Sequence, residues 1–175
     1  KHGLSYQLVG GSLLGAIRHK GFIPWDDDID VGMLRPDYDR FVQLAKNELE
    51  APFFLQTPLT DSGRNIDYVQ IRNSATTAID LRYVDDHNTF NQGIFIDIFP
   101  LDGMPKTEKE RKSWARKIQI YWTVLYTWYR FDYYENATVF GKFLHGMGAV
   151  LHIPMGKAYK GYEKLCTCFK GKDTE

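Results

Sequence analysis

The chain has 175 residues, 43% hydrophobic and 25% charged, the profile of a soluble domain large enough to bury a real core. Its 22 basic and 22 acidic residues cancel, so no global charge points to nucleic acid and any charge logic must be local. No run of 18 apolar residues and no signal peptide is visible, which leaves peripheral membrane contact at most.

The opening KHGLSYQLVGG runs straight into a strand over Tyr6–Val9, as a piece of a longer chain would. Gly10-Gly11-Ser12 reads as a tight turn, and Leu13, Leu14, Ala16 and Ile17 predict a short helix after it. Arg18, His19 and Lys20 fill its last turn, and Gly21 is placed to stop it. Phe22 to Trp25 is a Pro-containing connection. Asp28 to Leu34 then alternates, with Asp28, Asp30 and Gly32 on one side and Ile29, Val31 and Met33 on the other. That is a half-buried strand. Pro36 suits the first turn of a second helix with Tyr38, Phe41, Val42, Ala45 and Leu49 on its inner stripe.

Phe53–Gln56 predicts a strand. Ile66–Arg72 and Thr76–Tyr83 predict two more, joined as a hairpin by Asn73-Ser74-Ala75. Gly93–Phe99 is a strand of high β propensity with Asp97 in its middle, ended by Pro100. The period then changes. Thr107 and Glu110 form a capping box, and Trp114, Ile118, Tyr121, Leu125 and Trp128 share one helix face. Further helices are expected from Asn136 to about Leu151 and from Lys157 to Cys168. The two cysteines, Cys166 and Cys168, cannot complete a zinc site and read as reduced thiols. The expected class is α+β, with a mixed sheet in residues 1–105 and a helical portion in 106–175 as one continuous domain.

The chemistry concentrates in PWDDDIDVG, residues 24–32. Side chains two apart on a strand share a face, roughly 6–7 Å apart, so Asp28 and Asp30 point the same way. They repel unless a cation lies between them, and hard carboxylate oxygens favour magnesium or manganese over zinc. A solvated acidic turn is the plainer alternative, but the alternation with Ile29 and Val31 argues against it. An EF-hand loop fits Asp26, Asp28 and Asp30 but then fails, with Val31 at its glycine position and Asp37 at its last ligand. A lone Asp97 inside an apolar strand is costly to bury without a partner, and a shared cation would serve all three acids. Glycines before a helix expose N–H groups that favour phosphate, so Gly10, Gly11 and Ser12 are candidate phosphate holders, with Arg18, Lys20 and Arg72 as supporting cations. For Arg18 and Lys20 the competing reading is a complement to the helix dipole, and for Arg72 a surface ion pair. Asp26 is expected to support the acids from behind, Asp102 to stabilise a turn, and His87 to be a loop residue.

The stretch GGSLLGAIRHKGFIPWDDDIDVGMLRPDYDRF closely resembles the signature of the LicD family of phosphocholine transferases, whose core fukutin-type glycan phosphotransferases share. The likeness is dense from Tyr6 to Phe41 and returns in GIFIDIFPLDGMP, residues 93–105. It implies a nucleotidyltransferase fold of the polymerase-β-like type, with Gly11 and Ser12 at the donor phosphates and Asp28, Asp30 and Asp97 as catalytic metal ligands for Mg2+ or Mn2+. It implies CDP-choline or another CDP-linked donor, attack by a sugar hydroxyl of a cell-surface glycan or teichoic acid precursor, and release of CMP. Acceptors in the family are often lipid-linked, which places the expected site of action in the cytoplasm or at the inner face of a bacterial membrane. The further C-terminal segment with aromatic and acidic motifs that members usually carry does not occur before Glu175, so part of acceptor recognition is expected elsewhere. Choline is a quaternary ammonium, and Trp122 and Tyr129, off the main aromatic stripe, are candidates for a cation–π cage; core packing is the competing reading of the aromatic helix. Nucleotidyl transfer by the same acids, or an inactive glycan-binding scaffold, are the alternative functions.

Overall fold

Two periodicities build the core. The computed structural model describes residues 1–61, 66–79, 90–129 and 155–169, with backbone alone for 122–129, 155, 156 and 158. Its elements are β1 (Gln7–Leu8), α1 (Gly10–Arg18), β2 (Asp30–Leu34), α2 (Arg35–Glu48), β3 (Phe53–Gln56), β4 (Val69–Asn73), β5 (Ile94–Leu101), α3 (Glu108–Tyr129) and α4 (Met155–Cys166), followed by a 3-10 turn over Thr167–Phe169. The class is α+β with a mixed sheet, ordered β1-β2-β5-β4-β3. β2 and β5 run parallel; the other pairs are antiparallel. The chain divides into two compact units, Lys1–Leu101 and Asp102–Glu175.

In the first unit the helical stripe and the strand alternation meet. Met33, Leu55, Val69 and Ile98 from four strands form one buried cluster with Tyr38 and Ala45 of α2, and Phe41, Val42 and Leu49 pack against it. Each such side chain contributes about 1.5–3 kcal/mol on leaving water. Arg35-Pro36 opens α2, where the missing proline N–H is no loss.

Several boundaries differ from expectation, each for a local reason. The first strand shrinks to Gln7–Leu8, and Gly10-Gly11-Ser12 is the first turn of α1 rather than a loop before it. Lys20, not Gly21, takes the left-handed conformation after that helix, at φ 58°. β2 starts at Asp30, with Asp28 just ahead of it, although an Asp97 N–H to Ile29 carbonyl bond of 2.9 Å carries the β5 pairing one step further. The turn at Asn73 forms, its side chain accepting from the Ala75 N–H at 3.0 Å. Yet β4 pairs with β5, and 76–79 form no strand; the rest of the expected partner, 80–83, lies outside the described residues. Pro100 sits inside β5. Ile98 is the last β5 residue paired with β4, so beyond it β5 pairs only with β2 among the described strands and a missing N–H is tolerated.

The second unit follows the helical period. The Thr107 hydroxyl donates to the Glu110 carboxylate at 2.6 Å and accepts from the Glu110 N–H at 3.3 Å, a variant of the expected capping box. Trp114 of α3 donates from its ring N–H to the Leu165 carbonyl at 3.0 Å and meets Phe169 edge-on, joining α3 to the end of α4. The last helix spans Met155–Cys166 rather than Lys157–Cys168, and both cysteines are free thiols. No helix among the described residues is long and apolar enough to cross a membrane. The helix expected after Asn136 and the loop residue His87 lie outside the described residues, and so do the side chains of Leu125 and Trp128.

Candidate metal centre

The acids converge through strand register. Parallel pairing of β2 with β5 sets Asp30 directly opposite Asp97, and Asp28 reaches the same place from the loop ahead of β2. Ligand atoms from Asp28, Asp30 and Asp97 all lie within 4.8 Å of one another. Asp97 is 5% exposed. Burial lifts its carboxyl to about 6, helped by the charges of Asp28 and Asp30 and opposed by hydrogen bonds from Gln70 and Tyr68. The Asp28 carboxyl is also raised, first by burial and then by Asp30, Asp26 and Asp27, and it lies against that of Asp26. Three hard oxygen donors held this close, with proton affinity raised in two of them, are a donor set that a divalent cation fits.

The start of α1 is built around the same acids. Its N-cap residue, Val9, has no side-chain acceptor. Asp30 supplies one from the neighbouring strand: the Gly11 N–H donates to its Oδ2 at 3.2 Å, and the Asp30 N–H in turn donates to the Ser12 hydroxyl at 2.8 Å. The positive end of the helix thereby faces a carboxylate. Only glycine fits here. Gly10 has φ 53°, and a Cβ on it would stand 2.5 Å from Asp30 Oδ2. A Cβ on Gly11 would stand equally close, at 2.5 Å, to Asp26 Oδ2, a buried oxygen with no hydrogen-bond partner. The glycines expected to cradle phosphate therefore first make room for Asp30 and Asp26. Ser12, 7% exposed, keeps its hydroxyl proton for another acceptor. It borders a cleft of about 290 Å³ together with Lys20, Ile29 and Phe22. Arg18 is exposed.

Arg72 stands differently from the expected diphosphate contact or surface ion pair. It is 2% exposed. Its Nε donates to Gln56 Oε1 at 2.6 Å, Nη1 to the Gly93 carbonyl at 2.6 Å and Nη2 to Gln70 Oε1 at 2.8 Å, and the guanidinium lies over the Phe95 ring. All three nitrogens are engaged inside the fold. Gln70 then donates to Asp97 Oδ1 at 2.6 Å, and the Tyr68 hydroxyl also bonds Asp97. Sequence reasoning missed Gln56, Tyr68 and Gln70. The signal was present in VQIRN, where Gln70 and Arg72 alternate with Val69 and Ile71; two polar side chains on one face of a central strand need buried partners. Trp122 and Tyr129 fall on α3, but their side chains lie outside the described residues.

The family model described as LicD/FKTN/FKRP, nucleotidyltransferase domain, matches residues 3–130. Lipopolysaccharide cholinephosphotransferase LicD of Haemophilus influenzae is 40% identical over 110 residues, 62% of this chain and 39% of that protein. An uncharacterized protein of Rickettsia prowazekii is 32% identical over 107 residues, 61% of this chain and 35% of its own. Ribitol 5-phosphate transferase FKRP of Homo sapiens is 52% identical over 46 residues, 26% of this chain and 9% of that protein. The matched stretches cover well under half of each of these curated relatives.

Proposed function

The chain belongs to the LicD/FKTN/FKRP nucleotidyltransferase-domain family, and from that premise we propose that it is the catalytic core of a metal-dependent phosphotransferase with the polymerase-β-like fold. The reaction is transfer of phosphocholine, or a related phospho-head group, from a CDP-linked donor to a sugar hydroxyl of a glycan precursor, with release of CMP. The activities named for two relatives, cholinephosphate transfer and ribitol 5-phosphate transfer, support that class of transferred group. Residues 1–105 are assigned the chemistry, and 106–175 form a helical portion. A lipid-linked acceptor at the inner face of a bacterial membrane completes the reading.

One observation carries the proposal: Asp28, Asp30 and Asp97 present ligand atoms within 4.8 Å of one another. These three would hold the divalent ion, Mg2+ or Mn2+. When bound, it supplies neutralisation of the donor diphosphate and of charge on the leaving oxygen. The Ser12 hydroxyl and the N-terminal end of α1 are assigned to donor phosphate oxygens, with Lys20 across the same cleft and Arg18 near it. Asp97 is assigned as a ligand of that ion and as the group that takes the acceptor hydroxyl proton. Attack at the β-phosphorus breaks its bond to the bridging oxygen, which leaves with CMP. Positioning and electrostatics supply most of the acceleration.

The test is incubation with a panel of CDP-linked donors and magnesium, scoring CMP release. Wild type should release CMP from one donor, whereas Asp28→Asn and Asp97→Asn should not. Equal release by all three proteins removes the mechanism. Transfer of CMP itself would instead mark nucleotidyl transfer, and no magnesium-dependent turnover with any donor would mark a scaffold.

A further inference from the structure

Asp30, Asp97, Gln70 and Gln56 form a single rung across four strands, each opposite the next in register. Arg72 stands one step along on the same face, beside Gln70 and Gln56. Its guanidinium donates to the Oε1 of each glutamine, at 2.8 Å to Gln70 and 2.6 Å to Gln56. That contact leaves each amide nitrogen facing the other way. Gln70 Nε2 donates to Asp97 at 2.6 Å, and Gln56 Nε2 donates to Asp61 at 2.8 Å. The buried cation thus reaches two carboxylates through two amides, and only one of those carboxylates belongs to the acidic trio. Both glutamines are 0% exposed, so neither amide has water as an alternative partner.

We propose that Arg72 and Gln70 are positioning residues that hold the Asp97 carboxylate in place for the cation. Arg72 sets the orientation of the Gln70 amide. Gln70 engages Oδ1 of Asp97 and so fixes the rotation of the carboxylate toward Asp28 and Asp30. The amide is required at position 70: methionine has no donor, and glutamate would set a second negative charge against Asp97. Lysine at position 72 has one ammonium and cannot reproduce a three-nitrogen fork. Gln56 serves as an internal control, because it shares burial and the same Arg72 partner but leads to Asp61.

The inference rests on the reading of the trio as a cation site, and the experiment separates the two. Mn2+ alone is titrated into the full chain and into Gln70→Met, Arg72→Lys, Gln56→Met and Asp28→Asn by calorimetry, with thermal melting of each variant in parallel. Loss of a partner behind a metal ligand typically weakens affinity 10–100-fold. Gln70→Met should therefore weaken Mn2+ binding about tenfold and Arg72→Lys about threefold or more. Gln56→Met should destabilise the fold comparably while shifting affinity less than about twofold. Equal affinity in the parent, Gln70→Met and Arg72→Lys overturns the positioning role. So does equal weakening by Gln56→Met and Gln70→Met, which would mark a general structural loss. Should Gln70→Met not fold, Arg72→Lys carries the same decision. Mn2+ binding by the parent that Asp28→Asn leaves intact would instead refute the cation site itself.

Discussion

The two faces of one sheet are made from the same strands and obey opposite rules. On one face, the apolar side chains of Met33, Leu55, Val69 and Ile98 close against α2. On the other, Asp30, Asp97, Gln70, Arg72 and Gln56 alternate with them residue by residue. The apolar face gains stability from every side chain it covers. The polar face has to satisfy each buried donor and acceptor merely to offset its own desolvation, and it leaves two carboxyls, Asp28 and Asp97, with raised affinity for protons. Alternation therefore lets one set of strands separate what holds the fold from what does the chemistry.

The largest expected effect breaks the second face without harming the first. Asp97→Asn should lower CMP release at least about 100-fold, the loss of a group asked to supply some 3 kcal/mol of transition-state stabilisation. In metal-free buffer at pH 7 the same variant should melt no lower than wild type, because a neutral amide replaces a buried charge next to Asp28 and Asp30. A parallel fall in melting temperature and activity would show that the two faces are not separable. The converse variant is Met33→Ala, at 3% exposure in the apolar cluster. It should cost about 2–4 kcal/mol in denaturant unfolding and leave Mn2+ affinity of the folded fraction within about twofold.

The apolar face was the legible one. Its helical partner could be read from Tyr38, Phe41, Val42, Ala45 and Leu49 at helical spacing, and β3 from Phe53–Gln56, because period and propensity are local. The acids were legible too: Asp28 and Asp30 from strand alternation, Asp97 from its isolation in GIFIDIF. What sequence could not show was register. Only the parallel β2–β5 pairing brings Asp30 opposite Asp97, and only the β4–β5 pairing brings Gln70 opposite it. The same blindness explains the misassigned hairpin, where a true turn at Asn73 was followed to the wrong partner. It explains Arg72 as well, since a cation at the end of a strand looks solvated until its neighbours are known. The start of α1 was misplaced because its acceptor, Asp30, lies 19 residues away on another strand.

A pH series sharpens the comparison further. The Asp97 carboxyl sits near 6 when folded and at its ordinary value, 3.8, when unfolded. The folded state therefore binds more protons between those values, and stability falls as pH rises from about 4 through about 6. At 1.36 kcal/mol per unit, the loss for this one group is on the order of 2–3 kcal/mol. Metal-free wild type should accordingly unfold at lower urea concentration at pH 7 than at pH 4.5, corrected by the same series on Asp97→Asn, which should show a shallower fall. Added Mn2+ at pH 7 should restore the lost stability in wild type and do less in the variant. A flat difference between the two proteins would mean that Asp97 is not desolvated as its burial indicates.

The smallest effect is expected within the apolar face itself. Ile94 and Ile98 lie on the same strand and the same face, four residues apart, but Ile98 is 6% exposed and Ile94 57%. If the apolar face stabilises through area removed from water, identity at Ile94 should matter little even though its side chain points the same way. Threonine keeps the β-branch that suits a strand, so Ile94→Thr tests burial with propensity held nearly constant. Its effect on unfolding free energy should stay within about 0.5 kcal/mol, whereas Ile98→Val, a smaller chemical change at the covered end, should cost about 0.5–1.5 kcal/mol. Reversal of that order would mean that strand position, rather than coverage by α2, decides where this face draws its stability.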